Sequence, residues 1–245
     1  SLNLTRILVD TIYEKWNAAP ANMKIYFSAG TLEFLLPIFS HVAKSKNANG
    51  KLRSKAFTLS TAHIRLDNLP PKFRLMITKT ALHLLNVAQG MSPSPIDTLK
   101  MLCSSGEGIF TIGEFDHLCG DDGLLSLQPH VRKGVLTAMM ELNENAEFNT
   151  SNKYLLRLWL AQFDADKDNL EFAEDAWGDL FGDDDEGILP STGFDEHFIE
   201  LMCHKDRLIQ RMAADALSGA MGVHSDDLEM ILKKLLDLFR SKAPL

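Results

Sequence analysis

Small and apolar residues recur at helical spacing in three stretches separated by about forty residues, Val131 to Met139, Asn169 to Trp177 and Ile209 to Leu217. In the first, Val131, Val135, Ala138, Met139 and Leu142 follow the i, i+4, i+7, i+8, i+11 stripe of a buried helix face. The second places Leu170, Ala173, Ala176 and Trp177 on one side; the third does the same with Ile209, Met212, Ala213, Ala216, Leu217 and Ala220. A period of this length predicts stacked helical hairpins. Ala173 and Ala213, matched across the repeat, are small where two helices pack closely. The expected repeat core comprises Val131, Val135, Trp159, Ala173, Trp177, Ala213 and Leu217.

Helical patterning extends over most of the remaining chain. Leu4, Ile7, Leu8 and Ile12 share a face from Leu2 to Trp16, ending at "APAN" around Pro20. Thr31 to Ala43 is a second helix in which Pro37 produces a bend, and "KSKNANGKLRSK" reads as a loop before a helix from Lys55 to Leu66. Pro70 and Pro71 open a helix to about Ala88. After "QGMSPSP", Ser94 or Ser92 caps Pro95 to Leu102. "CSSGEGIFTIGEF" reads as a flexible linker, "EFDHLC" as helix, Gly120 to Gly123 as a turn, and Leu124 to Gln128 as the end of a helix before Pro129. Asn152 is the expected cap of "KYLLRLWLAQF", "GDDDEG" an acidic turn, Ser191 to Cys203 and Lys205 to Gly222 a third pair, and Ser225 the cap of a last helix, Asp226 to Arg240. The fold class is all-α, an α-solenoid of irregular helical hairpins. It is expected as a single segment over 1–245, with less regular hairpins in 1–103, more regular ones in 124–245, and further chain on either side.

Composition narrows the function. With 25 basic and 33 acidic residues the net charge is -8, which excludes a nucleic-acid footprint over the whole surface and leaves room for a local basic patch. Three cysteines, Cys103, Cys119 and Cys203, suit a reducing compartment, and the opening stretch carries acids unlike a signal or transit peptide. No apolar run reaches membrane-spanning length, so a soluble, cytoplasmic protein is expected.

Few residues invite chemistry. Asp164, Asp166, Asp168 and Asp175 occupy positions one, three, five and twelve of a calcium loop, but Asn169 stands where the turn requires Gly, and acids offsetting a helix dipole are the favoured reading. His117 with Cys119, and Cys203 with His204, lack zinc-finger spacing, and Cys119 and Cys203 read as buried small hydrophobes. The other histidines, His41, His63, His83, His130, His197 and His224, are scattered. Gly106, Gly108 and Gly113 lack the lysine and the strand-turn-helix setting of a phosphate loop. No nucleophile motif, metal or cofactor site, or small-molecule substrate site is expected. One cluster stands out: Lys44, Lys46, Lys51, Arg53 and Lys55 place five cations in twelve residues without an acid, a pattern suited to the phosphate backbone of structured RNA or simply to a solvated loop.

The run "KYLLRLWLAQFDADKDNLEFAEDAWGDLFG", followed by "FIELMCHKDRLIQRMAADALSGAM", resembles the general control translational activator family, very large HEAT-repeat proteins. "LSLQPHVRKGVLTAMMEL" and "TLEFLLPIFSHV" are similar to it in the same order; Leu158, Trp159, Phe163, Asp164 and the "AEDAW" ending at Trp177 are the most specific matches. The resemblance implies a non-enzymatic scaffold that associates with stalled or colliding ribosomes and promotes activation of the kinase that phosphorylates initiation factor 2 alpha under amino-acid starvation. It implies a segment upstream of the elongation-factor-3-like region, with the kinase bound elsewhere. Leu170 and Gln210 stand where the first signature helix has Arg132, a departure from a strict HEAT ladder. The rival expectation is an unrelated HEAT-type adaptor for transport or assembly, and a third is a calcium-regulated helical protein.

Overall fold

A computed structural model describes residues 2–18, 29–62, 64, 69–88, 90–105, 109–144, 151–182, 189–190, 192–224 and 228–242. Among them are twelve α-helices, one 3-10 helix and no strand. Expectations at Pro20, His63, Gly106, Gly108, Asp183 to Glu186 and Ser225 lie outside the described residues. No described helix is long and apolar enough to cross a membrane. The chain divides into two compact units, Ser1–Asn145 and Ala146–Leu245.

The first unit contains α1 (Leu2–Ala18), α2 (Ala29–Lys44), α3 (Gly50–Thr61), α4 (Pro71–Val87), α5 (Pro95–Cys103), α6 (Ile112–Leu118) and α7 (Pro129–Met139), followed by the 3-10 turn Met140–Glu144. Pro37 lies inside α2, as expected. α2 and α3 form a tight hairpin, because Asn49 accepts a hydrogen bond from Leu52 N–H and starts α3 at Gly50, five residues before the expected boundary. The buried stripe Leu52, Ala56, Leu59 then fixes the helix against its neighbours. Ser94 caps α5. Thr111 and Glu114 form a capping box on α6, ordering the end of what read as a linker.

Leu124 to Gln128 is not helical. Gly123 cannot carry a Cβ, which would lie 2.1 Å from the Leu118 carbonyl oxygen. Pro129 holds Gln128 extended, at φ -86° and ψ 115°. The turn is tied instead by Leu124 N–H to Leu118 O at 2.7 Å, and by Arg132 Nη1, buried beneath it, which donates to Ser126 O at 2.8 Å.

The second unit contains α8 (Asn152–Ala161), α9 (Lys167–Phe181), α10 (Phe194–Met202), α11 (Arg207–Val223) and α12 (Leu228–Lys242). Ser151, not Asn152, caps α8, since its side chain accepts from Tyr154 N–H. From Tyr154 to Ala161 every residue of α8 is buried, which makes it the centre of the unit. Trp159 donates from Nε1 to Ala216 O on α11 at 3.0 Å and meets Trp177 of α9 edge to face at 5.3 Å; Phe163 and Phe181 extend the aromatic column. α11 offers small residues to this column. The closest approach is at Gly219, where a Cβ would lie 2.7 Å from Phe163 Cζ and 3.2 Å from Trp159 Cζ2, a role the repeat pattern did not single out.

Arg132, Leu170 and Gln210 are each the fourth residue of α7, α9 and α11. Gln210 Nε2 donates to His204 O at 2.6 Å, six residues back, the same offset at which Arg132 reaches Ser126. The basic residue of the first signature helix is therefore replaced in function by an amide in the third. In the second, Asn169, one position earlier, donates from Nδ2 to the Asp164 carboxylate five residues back at 3.2 Å.

Candidate nucleic-acid interface

Five cations adjacent in sequence are not adjacent in space. Because α3 begins at Gly50, Lys51 and Lys55 stand one turn apart on the edge that faces α1, whereas Arg53 is rotated about 200° away from Lys51. Lys55 is not an outward cation: its Nζ is 2.8 Å from Asp10 and 3.3 Å from Glu14, both on α1, and its side chain is 13% exposed. The hydrogen bond that it donates to Asp10 raises its pKa and holds it charged. Lys51 lines the same cleft of about 470 Å³ with Arg6, Asp10 and Glu14. On this edge the acids of α1 offset the cations.

On the opposite side, Arg53 Nε donates to Ser45 O at 3.1 Å, so the guanidinium packs over the α2–α3 turn. Lys46 is exposed at the tip of that turn and Lys44 is half-buried at the end of α2. His83 of α4 faces this group. Burial lowers its pKa most, with Lys44 and Arg53 lowering it further against the opposing influence of a Lys44 backbone hydrogen bond and Asp122. Lys79, one turn earlier on α4, is exposed and near His117 of α6, whose pKa burial and Lys79 lower against Asp116 and Asp122. His83 thus meets the cations of the turn, with Lys79 one turn away on the same helix and His117 beside Lys79, a grouping that a search for runs of charge misses because it draws on two helices distant in sequence.

The remaining candidates are accounted for by the fold. Asp166 caps α9 by accepting from Asn169 N–H, and Asp164 accepts from Asp166 N–H at 2.9 Å, so two carboxylates of the calcium pattern are engaged by the chain itself. Among the described residues no group of three or more His, Cys, Asp or Glu is placed to hold a metal. Cys103 and Cys119 are buried, and burial pushes the Cys103 thiol far up. Cys203, expected in the core, is exposed because it follows α10 at its C-terminal cap instead of continuing the apolar stripe. All seven expected repeat-core residues, Val131, Val135, Trp159, Ala173, Trp177, Ala213 and Leu217, are buried.

Charge differs sharply between the units. Residues 1–145 carry 15 Lys and Arg against 12 Asp and Glu, a net +3, and residues 146–245 carry 10 against 21, a net -11. On this balance the first unit is the more favourable of the two toward a polyanion.

Residues 143–245 match the family described as "Stalled ribosome sensor GCN1, HEAT repeats". Comparison with curated proteins gave no match. Comparison with solved structures gave none either.

Proposed function

On the premise that residues 143–245 belong to the HEAT repeats of the GCN1 stalled-ribosome-sensor family, we propose that this chain is a non-enzymatic scaffold segment that associates with stalled or colliding ribosomes in the cytoplasm. That family match is the observation that carries the reading. The helical hairpins supply extended surface, and no reaction is assigned to them. Activation of the kinase that phosphorylates initiation factor 2 alpha belongs to the same proposal, with the kinase bound by regions outside this segment.

The basic side of the first unit supports contact with ribosomal RNA, because lysines and arginines that displace counterions from phosphates give binding a steep salt dependence. The test is co-sedimentation of the chain with purified ribosomes across a salt series. Recovery in the ribosome pellet that falls steeply with salt is the expected result. Failure to co-sediment at any salt would remove the ribosome reading. Binding insensitive to salt would favour a HEAT-type adaptor that grips a protein.

A further inference from the structure

The ribosome reading leaves open which surface of the first unit meets RNA, and the following inference rests on that reading. We infer that the RNA contact is a stripe crossing three elements, formed by Lys44, Lys46 and Arg53 at the α2–α3 turn, Lys79 and His83 on α4 and His117 on α6, and that the α1-facing edge of α3 is not part of it.

Two observations separate these surfaces. On the α1 edge, Asp10 and Glu14 bind Lys55 directly and share the cleft with Lys51 and Arg6. A phosphate arriving there meets two carboxylates that already hold Lys55 and line the cleft of the other two cations, and like charges facing each other disfavour docking. On the stripe, Lys46 and Lys79 are exposed and Arg53 is anchored to a backbone carbonyl; the acids on that side are Asp116, which faces His117, and Asp122, which faces both His83 and His117 without bonding a lysine or arginine of the stripe. Asn86, three residues after His83 on α4, donates to Asp122 O at 3.0 Å and accepts from Ser126 Oγ at 3.1 Å, pinning the turn beside the stripe. The surface is therefore built on packed helices and braced turns, and it draws cations from separate elements, the α2–α3 turn and α4, linked through His83 one turn from Lys79, as a backbone-tracking contact requires.

The histidines add a signature. Lys44, Arg53 and Asp122 face His83; Lys79, Asp116 and Asp122 face His117. Both imidazoles are held below their ordinary pKa chiefly by burial, and by the neighbouring cations. A phosphate placed among those cations favours the protonated rings, so binding takes up protons and tightens as pH falls through the histidine range.

The test uses the 245-residue chain, purified ribosomes and a plain RNA duplex as probes. Lys44→Ser, Lys46→Ser and Lys79→Ser combined should weaken duplex binding about tenfold at moderate salt and lower the salt slope by about 3. Arg6→Ser, Lys51→Ser and Lys55→Ser combined should leave it within about twofold, because Asp10 and Glu14 pair Lys55 and share the cleft with the other two cations. His83→Gln with His117→Gln should abolish the tightening that develops as pH falls through and below about 6.5. Far-UV circular dichroism of each variant establishes that it is folded, and any unfolded combination is replaced by its single substitutions. If wild type binds and the α1-edge variant loses as much affinity as the stripe variant, or the stripe variant loses none, the stripe is wrong while the ribosome reading stands. If wild type binds neither ribosomes nor duplex, both fail.

Discussion

Replacing Trp159 by alanine removes the group on which the second unit is centred. The side chain is 5% exposed, lies edge to face with Trp177 at 5.3 Å, touches Phe163 and donates to the Ala216 carbonyl. Loss of transfer free energy and the cavity left by a large aromatic cost about 3–5 kcal/mol. The edge contact contributes about 1 kcal/mol beyond area, and the indole hydrogen bond about 1 kcal/mol, part of which the truncation figure already contains. The expected destabilisation is about 4 kcal/mol, against a total of roughly 5–15 kcal/mol for a unit of this size. Trp159→Phe keeps a ring but loses Nε1–H and part of the packing, and should cost about 1–2 kcal/mol. Urea denaturation followed by far-UV circular dichroism gives the free energies, and native-state hydrogen exchange assigns the loss to α8, α9 and α11. A second arm tests the geometry: Gly219→Leu, projecting into Phe163 and Trp159, should be destabilising in wild type and less so beside Trp159→Ala, where space has been made. A loss below about 1 kcal/mol for Trp159→Ala, or protection lost only in residues 2–144, would refute the aromatic column as the core of this unit.

Further outcomes follow from the same structure. Burial, then Arg157 and Lys153 on α8, hold His197 down to about 4; the unfolded chain takes up this proton near 6.5, so the second unit keeps its full stability above that pH and loses up to about 3 kcal/mol as pH falls toward 4. Stability measured against pH should show this loss, and His197→Phe should remove it. Arg74 and Glu114 form a buried pair at 3.2 Å between α4 and α6, with Arg74 Nη2 also donating to Leu102 O. Glu114→Ala should destabilise the first unit by about 3–5 kcal/mol in urea titration, because it strands a buried guanidinium and opens the α6 cap. A thiol reagent should modify Cys203 rapidly in the native chain and reach Cys103 and Cys119 only on unfolding, which mass spectrometry of the labelled peptides resolves. Calcium should leave the melting temperature unchanged, since Asp164 and Asp166 are engaged by peptide N–H groups of the turn they hold.

The helical class, the three matched helices and their buried faces were legible in the sequence. Periodicity is a local property: residues four apart share a face whatever the helix packs against, so Val131, Val135, Ala173, Trp177, Ala213 and Leu217 could be placed inward without knowing their neighbours. Caps were partly legible for the same reason. Ser94 is among the caps the sequence predicts, whereas Asn49 is not, and the first turn of α3 falls within the expected loop. That one boundary decided the candidate site. Read as a loop, residues 44–55 offer a single basic patch; with 50–55 wound into α3, Arg53 turns away from Lys51 and Lys55, and α1 brings Asp10 and Glu14 to Lys55.

By itself, the sequence determined the repeat, the interior and the stock of charges available. The tertiary structure decided which charges meet. His83 meets Lys44 and Arg53 of the α2–α3 turn, Lys79 meets His117, Glu114 finds Arg74 forty residues away, and Gly219 admits Trp159 and Phe163. The reason is physical. A side chain's burial is set largely by the period of its own helix, but its electrostatic partners are set by which helices stack on one another, and nothing local in the chain encodes that.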